Sequence, residues 1–253
     1  MSKPFSITSF YNGFHHKSGL IKKLIDPRDF TYRYILGFLH LPLIWGAKNT
    51  KALDVGCGIG NIALYLSQQC SIVVGVDISP KAIRLAKANA KNLKIINVKF
   101  LTGSIRDIKG KFDLIVCSEV IEHIADDAAF VRDISARLNK HGYLVLSTPL
   151  NASLFYKLGL FDKFDLEVGH LRRYSPDSIT RLIEGQKLQI EQFKIVEGPI
   201  RSVMFLSRLK ILLKLIRPSF SKLVCFADEL SGKIFGYSNI IILAQKKWRK
   251  YYF

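Results

Sequence analysis

The chain has 253 residues, with 38 lysines and arginines against 20 aspartates and glutamates, for a net charge of +18. That length suits one domain with room for an insertion, and the charge implies an anionic contact (nucleic acid, an acidic membrane surface or a phosphorylated substrate) without choosing among them. The cysteines at 57, 70, 117 and 225 show no C-x-x-C spacing and suggest neither a zinc site nor a disulfide framework; with no run of about 18 uncharged apolar residues and no cleavable leader pattern, a cytoplasmic protein is expected.

Residues 29 to 46 are rich in Tyr, Phe, Leu and Ile and predict helices packed beside a sheet, with Asp29 available as a helix cap. From residue 51 the pattern alternates. It predicts strand 51–56, helix 60–69, strand 72–77, helix 80–92, strand 95–101, strand 111–117, helix 126–139 and strand 142–148. Pro80 sits at a helix start, where its missing N–H costs little, and Ser175-Pro176-Asp177 opens another helix to about 185. Strand 188–197 follows, and Ser238 to Gln245 reads as the last strand. Apolar runs alternating with amphipathic segments indicate an α/β chain whose parallel sheet carries helices on both faces.

Four segments result: an N-terminal helical cap over 1–47, a core over 48–198, a helical insertion over 199–236, and the last strand with a basic aromatic tail over 237–253. Within the insertion Leu209, Leu212, Leu213 and Ile216 share one helical face, while Lys210, Lys214 and Arg217 share the opposite one. The helix reads either as a lid with solvated lysines or as a docking element for an anionic membrane surface. The tail Lys246 to Phe253 reads as a frayed end, an interfacial anchor or a nucleic-acid contact.

Two ligand anchors fall in the first βαβ unit. Leu53-Asp54-Val55-Gly56-Cys57-Gly58-Ile59-Gly60-Asn61 ends an apolar strand in glycines at alternate positions, which let backbone N–H groups and a helix N-terminus approach a ligand. The next strand ends at Asp77, where a carboxylate can hold ribose hydroxyls. The spacing is G-x-G-x-G, not the G-x-G-x-x-G of dinucleotide sites, which argues against an NAD-dependent oxidoreductase. With Asp54 before it, this stretch resembles motif I of class I S-adenosylmethionine-dependent methyltransferases. Phe112-Asp113-Leu114-Ile115 and Glu119-Val120-Ile121-Glu122-His123-Ile124 resemble the small-molecule branch that includes the quinone-biosynthesis methyltransferases. Gly169-His170-Leu171-Arg172-Arg173-Tyr174-Ser175 is similar to a further segment of the same group, so the likeness runs over about 48 to 198.

The resemblance implies a Rossmann-like sheet of seven strands, mostly parallel, whose last strand runs antiparallel. It implies S-adenosylmethionine as cofactor, held by Asp54, Gly56, Cys57, Gly58, Gly60, Asp77 and Ile78, with Ser118 and Glu119 at its methionine end. Gly103-Ser104 stands where the family often has Gly-Asp, so adenine recognition falls to the backbone of Ser104 and Ile105. Phe10 and Tyr11 either close over the cofactor or fill a small core.

Methyl transfer from a sulfonium is a direct displacement that needs alignment and, for a hydroxyl acceptor, a base. His123 and His170 are the candidates, each just beyond the C-terminal end of a strand. The structural alternatives are that His123 caps the next turn and that His170 pairs with Glu167 or a carbonyl. Similar E-x-x-E-H segments hold a divalent cation in some quinone-pathway O-methyltransferases, but no metal is assigned here. Arg172 and Arg173 either clamp an anionic group of the acceptor or, for Arg173, pair with an acid that fixes the loop above Tyr174.

The preferred acceptor is a small or lipid-linked molecule, with peripheral contact at the inner face of a membrane. An RNA or other nucleic-acid acceptor is the main rival, yet Ser118-Glu119-Val120 lacks the N-P-P-Y type used on base amino groups and Cys117 is not preceded by proline. A noncatalytic S-adenosylmethionine-binding module is the second alternative.

Overall fold

The central strands are apolar almost throughout, rather than at alternate positions, because both faces of the sheet are covered. A computed structural model describes residues 19–39, 49–206 and 218–247. The elements are α1 (Arg33–Leu39), β1 (Lys51–Val55), α2 (Asn61–Leu66), β2 (Ile72–Asp77), α3 (Pro80–Asn92), β3 (Val98–Thr102), β4 (Phe112–Ser118), α4 (Asp127–Arg137) and β5 (Leu138–Pro149). They continue as α5 (Leu154–Lys157), α6 (Asp162–Val168), α7 (Pro176–Glu184), β6 (Leu188–Val196), α8 (Pro199–Leu206), α9 (Pro218–Phe235) and β7 (Asn239–Lys246). Short 3-10 turns follow β3 and β4, at Ile105–Asp107 and Ile121–His123.

The sheet order is β3-β2-β1-β4-β5-β7-β6. Every pairing is parallel except those of β7, which runs antiparallel to both neighbours. Successive residues of β4 point to opposite cores: Leu114 and Val116 join α1, α2 and α3, whereas Ile115 and Cys117 join α4 and α7. The strand order reverses between β1 and β4, which opens a crevice at their C-terminal ends.

The boundaries differ from the expected ones where the backbone turns left-handed. Helix α2 starts after Gly60, at φ 92°, and stops at Leu66. Strand β3 begins at Val98, not 95, because Lys94 takes φ 55° and the Ile95 amide still donates to Ala90 O. Strand β5 starts at Leu138, four residues before its apolar run, and pairs there with Phe112. The Asp29 side chain does not cap α1: its carboxylate accepts from the Asp26 amide, while its backbone carbonyl accepts from Arg33. Phe10, Tyr11, the basic face of 209–217 and the tail from Trp248 lie outside the described residues. No helix among the described residues is long and apolar enough to cross a membrane.

Candidate functional site

At the end of β1 the chain turns at Gly56 (φ 70°) and Gly58 (φ 52°), and loops onto the segment after β4. A Cβ on Gly56 would sit 2.3 Å from Val120 Cγ2, and one on Gly60 2.8 Å from Phe100 Cζ, so both positions require glycine for space as well as for φ. The amides of Gly56 and Cys57 both donate to Val76 O. Asp77 then accepts from the Gly58 amide through Oδ2 (2.9 Å) and from the Ser79 amide through Oδ1 (2.8 Å). A carboxylate has about four lone-pair sites, so one remains on each oxygen for a ligand hydroxyl.

Three residues expected at the cofactor support the wall without lining it: Asp54, Cys57 and Gly60. Asp54 is buried and accepts from the Ala63 amide at 3.0 Å, bracing the first turn of α2. Burial pushes its carboxyl up to about 8. Burial also raises the Cys57 thiol, which sits 3.0 Å from where a Cβ on Gly75 would lie. Ser104 does line the cavity, but its amide and hydroxyl both donate to Asp107 Oδ2, at 2.8 and 3.0 Å. The Ser104 amide is therefore engaged within the turn, as a serine with an aspartate three residues on, a capping box, could have signalled.

Beyond β4, Glu119 adopts φ 56°, rare for a residue with a Cβ. Its Oε1 accepts from Ser147 Oγ at 2.6 Å and from Asn239 Nδ2 at 3.0 Å, so three strands meet on one carboxylate. Burial raises its pKa, and the charge of Glu197 adds to the effect. Glu122 is wholly buried; Oε2 accepts from Thr148 Oγ1, while Oε1 has no hydrogen-bond partner among the described residues. Burial, then the nearby Glu119, pushes Glu122 well above the usual carboxylate range.

His123 and His170 both turn toward that bare oxygen. Each Nε2 lies 3.8 Å from Glu122 Oε1, and the ring centroids are 4.9 Å apart. Nδ1 of His123 is 2.9 Å from Gly169 O, and Nδ1 of His170 is 2.8 Å from Asp165 Oδ1. Burial draws His123 below the ordinary histidine range. Burial works to raise Asp165, but hydrogen bonds from His170 and Arg173 hold it below the usual range. The expected partner of His170, Glu167, instead lies on the surface 3.9 Å from Lys163.

Arg173 grips Asp165 through two nitrogens, each at 2.7 Å, and stacks 4.1 Å from the centre of the Phe161 ring. Arg172 donates to Asp127 and to Ala125 O, and Tyr174 also donates to Asp127. Both guanidinium groups therefore serve the loop that carries His170, which favours the structural alternative over an acceptor clamp. The ligand atoms of Glu122, His123 and His170 lie within 4.8 Å of one another. One carboxylate and two imidazoles, with an orphaned buried oxygen among them, fit a divalent cation in donor type and spacing.

One cavity of about 810 Å³ joins the two ends. Gly56, Gly58, Asp77, Ile78, Ser104 and Ile105 line the first end, Ser118 and Glu119 the middle, and His123 and His170 the second end. Thr31, Tyr32, Tyr34 and Ile35 close it from the N-terminal segment. That cover is held by Arg201, 1% exposed, whose guanidinium donates to the carbonyls of Phe30 and Thr31 and to Glu197. The sequence reading missed Arg201 and Asp165. A lone arginine within Pro199-Ile200-Arg201-Ser202-Val203-Met204 is a usable signal for the first, since a charge in an apolar helix needs a buried partner.

The model of a family described as a methyltransferase domain matches residues 47–172. A ubiquinone biosynthesis O-methyltransferase of Pelagibacter ubique is 38% identical over 108 residues, which cover 42% of this chain and 45% of that relative. One from Coxiella burnetii is 28% identical over 196 residues, covering 72% and 79%. Over the first of these the chain spans less than half of the relative's length. In fold it resembles a putative sarcosine dimethylglycine methyltransferase from Galdieria sulphuraria (TM-score 0.65, 14% identity, 94% of this chain and 98% of that one). It also resembles the N-methyltransferase NodS of Bradyrhizobium japonicum in complex with S-adenosyl-L-homocysteine (TM-score 0.62, 15% identity, 95% and 99%).

Proposed function

From the match of residues 47–172 to the methyltransferase-domain model we propose that the chain transfers a methyl group from S-adenosylmethionine to a hydroxyl of a small or lipid-linked acceptor. The observation that carries the reading is the continuity of the cavity. At one end is a glycine turn with Asp77, at the other a partly buried pair of histidines beside a carboxylate oxygen that has no hydrogen-bond partner among the described residues. The Asp77 carboxylate holds the ribose hydroxyls, and the loop from Ser118 to Val120 flanks the methionine end. The acceptor oxygen attacks the methyl carbon as the carbon–sulfur bond breaks, and the sulfur leaves with that electron pair as a neutral thioether. The hydroxyl proton passes to an imidazole Nε2 of His123 or His170. Phe161, Phe164 and Val168 give this end an apolar wall suited to an aromatic or chain-bearing acceptor, and contact with an anionic membrane belongs to the same reading.

A second reading is favoured by the spacing of Glu122, His123 and His170, which would hold a divalent cation. Such an ion supplies Lewis-acid polarisation of an acceptor oxygen. The relatives whose names include ubiquinone biosynthesis agree with a hydroxyl acceptor.

Calorimetry with S-adenosylmethionine, followed by transfer of a labelled methyl group to phenols with and without an aliphatic chain, tests the reading. Transfer to a phenol, measured with and without chelator, is the expected result. Absence of S-adenosylmethionine binding sinks it. Binding without turnover on any acceptor leaves a noncatalytic module, and salt-sensitive incorporation into bulk RNA favours the nucleic-acid rival.

A further inference from the structure

Helix α9 is amphipathic in the reverse of the usual sense. Its inner face is fastened by polar contacts: Asp228, wholly buried, accepts from the amides of Gly198 and Arg201. Its outer face is apolar. Leu223, Phe226, Leu230 and Ile234 are 66, 67, 53 and 74% exposed, and their spacing of three and four residues puts them on one stripe. Soluble domains rarely leave such a stripe to water unless something covers it.

The stripe runs to the edge of the cavity. After Phe235 the chain packs onto the start of α5, where a Cβ on Gly236 would lie 3.1 Å from Ser153 Cα, and Ser238 and Asn239 then line the cavity. The segment from α5 to α6 also leaves large apolar side chains to solvent. Phe161, Phe164 and Val168 face the cavity, while Leu158, Leu160 and Leu166 are 62, 54 and 80% exposed.

Charge selects the occupant. Lys222 and Lys233 are exposed on the border of the α9 stripe. In sequence, the stretch 207–217 just before the helix contains Arg208, Lys210, Lys214 and Arg217 and no acid. A second copy of a chain bearing +18 would be repelled, whereas an anionic bilayer attracts the lysines and takes up the apolar side chains together.

We propose that the outer face of α9, continued by the leucines of the α5–α6 segment, docks the protein on an anionic lipid bilayer with the acceptor end of its cavity beside the membrane. Docking deepens the proposed function, whose lipid-linked acceptor it would serve, but it rests on the surface of α9 and can fail without methyl transfer failing.

Flotation of the full chain with phosphatidylglycerol–phosphatidylcholine vesicles, and with phosphatidylcholine alone, tests this. The wild type is expected to float with the anionic vesicles and to be released by salt or by omission of the anionic lipid. The double variant Phe226→Ser/Leu230→Ser should lose about tenfold or more in vesicle affinity, since two buried apolar side chains are removed from the lipid contact. S-adenosylmethionine affinity and thermal melting in the same samples should stay at wild-type values, which separates failure of docking from failure of the site or the fold. Wild-type protein that stays unbound overturns the proposal, as does a double variant that floats equally well. A dimer by light scattering that the double variant dissociates would assign the face to a second copy instead.

Discussion

The two ends of the cavity are built in opposite ways. The cofactor end is local: Gly56, Gly58 and Asp77 come from one βαβ unit, and their bonds run between backbone amides and one carboxylate. The acceptor end is long-range: Glu119 reaches Asn239, His123 reaches Gly169, and Arg201 reaches back to Phe30 and Thr31. A site made of short-range contacts survives drift elsewhere in the chain, whereas one assembled across the fold depends on each clamp that closes it.

The strongest way to break that contrast is to remove a clamp. Arg201→Met takes the guanidinium from two carbonyls and from Glu197, and breaking a buried pair in this way costs about 3 kcal/mol or more. Urea unfolding should show the midpoint fall by a corresponding amount; a stability loss below 1 kcal/mol would mean that the cover is held by other contacts.

Next in size is a paired measurement. Asp77→Ala should weaken S-adenosylmethionine binding by about 10- to 100-fold, the value of hydrogen bonds to a charged group. Asp165→Asn should leave that affinity within about twofold while slowing methyl transfer about tenfold or more, because His170 loses the carboxylate that orients its ring. Calorimetry and initial rates read the two separately. If both variants lose cofactor affinity alike, the ends are not independent.

A pH-dependent effect sharpens the local end. Burial holds the Asp54 carboxyl at about 8, above its value of 3.8 in an unfolded chain. Between those values the unfolded state sheds the proton and the folded state keeps it, so this contribution to stability is complete below about pH 4 and is lost as pH rises toward 8. Asp54→Asn retains an acceptor for the Ala63 amide and removes the titration. Melting curves across this range should converge at the acid end and show the wild type falling progressively behind the variant; a difference constant with pH would place the ionisation elsewhere.

The contrast also explains what could be read in advance. Strands β1 and β2 were legible because apolar runs ending in Gly or Asp admit little else, β4 because Leu114 to Cys117 is an unbroken apolar run, and the glycine turn carries its own steric reason. The pairing of His170 was not: Glu167 and Asp165 are both near in sequence, and only the fold of α6 decides which carboxylate faces inward. Arg172 and Arg173 looked equally suited to an anion, and the acids that claim them, Asp127 and Asp165, are chosen by packing. The reversed polarity of α9 required knowing which face Asp228 anchors.

By itself the sequence determined the alternating elements, the cofactor turn and the acid after the second strand, since each rests on residues close along the chain and on backbone sterics. Only the tertiary structure decided that Glu122 Oε1 faces two imidazoles, that Asp107 takes the Ser104 amide, and that a buried arginine closes the cavity. Those outcomes follow from burial and from contacts between distant segments, and the choice among several possible partners is made only when the sheet and its helices come together.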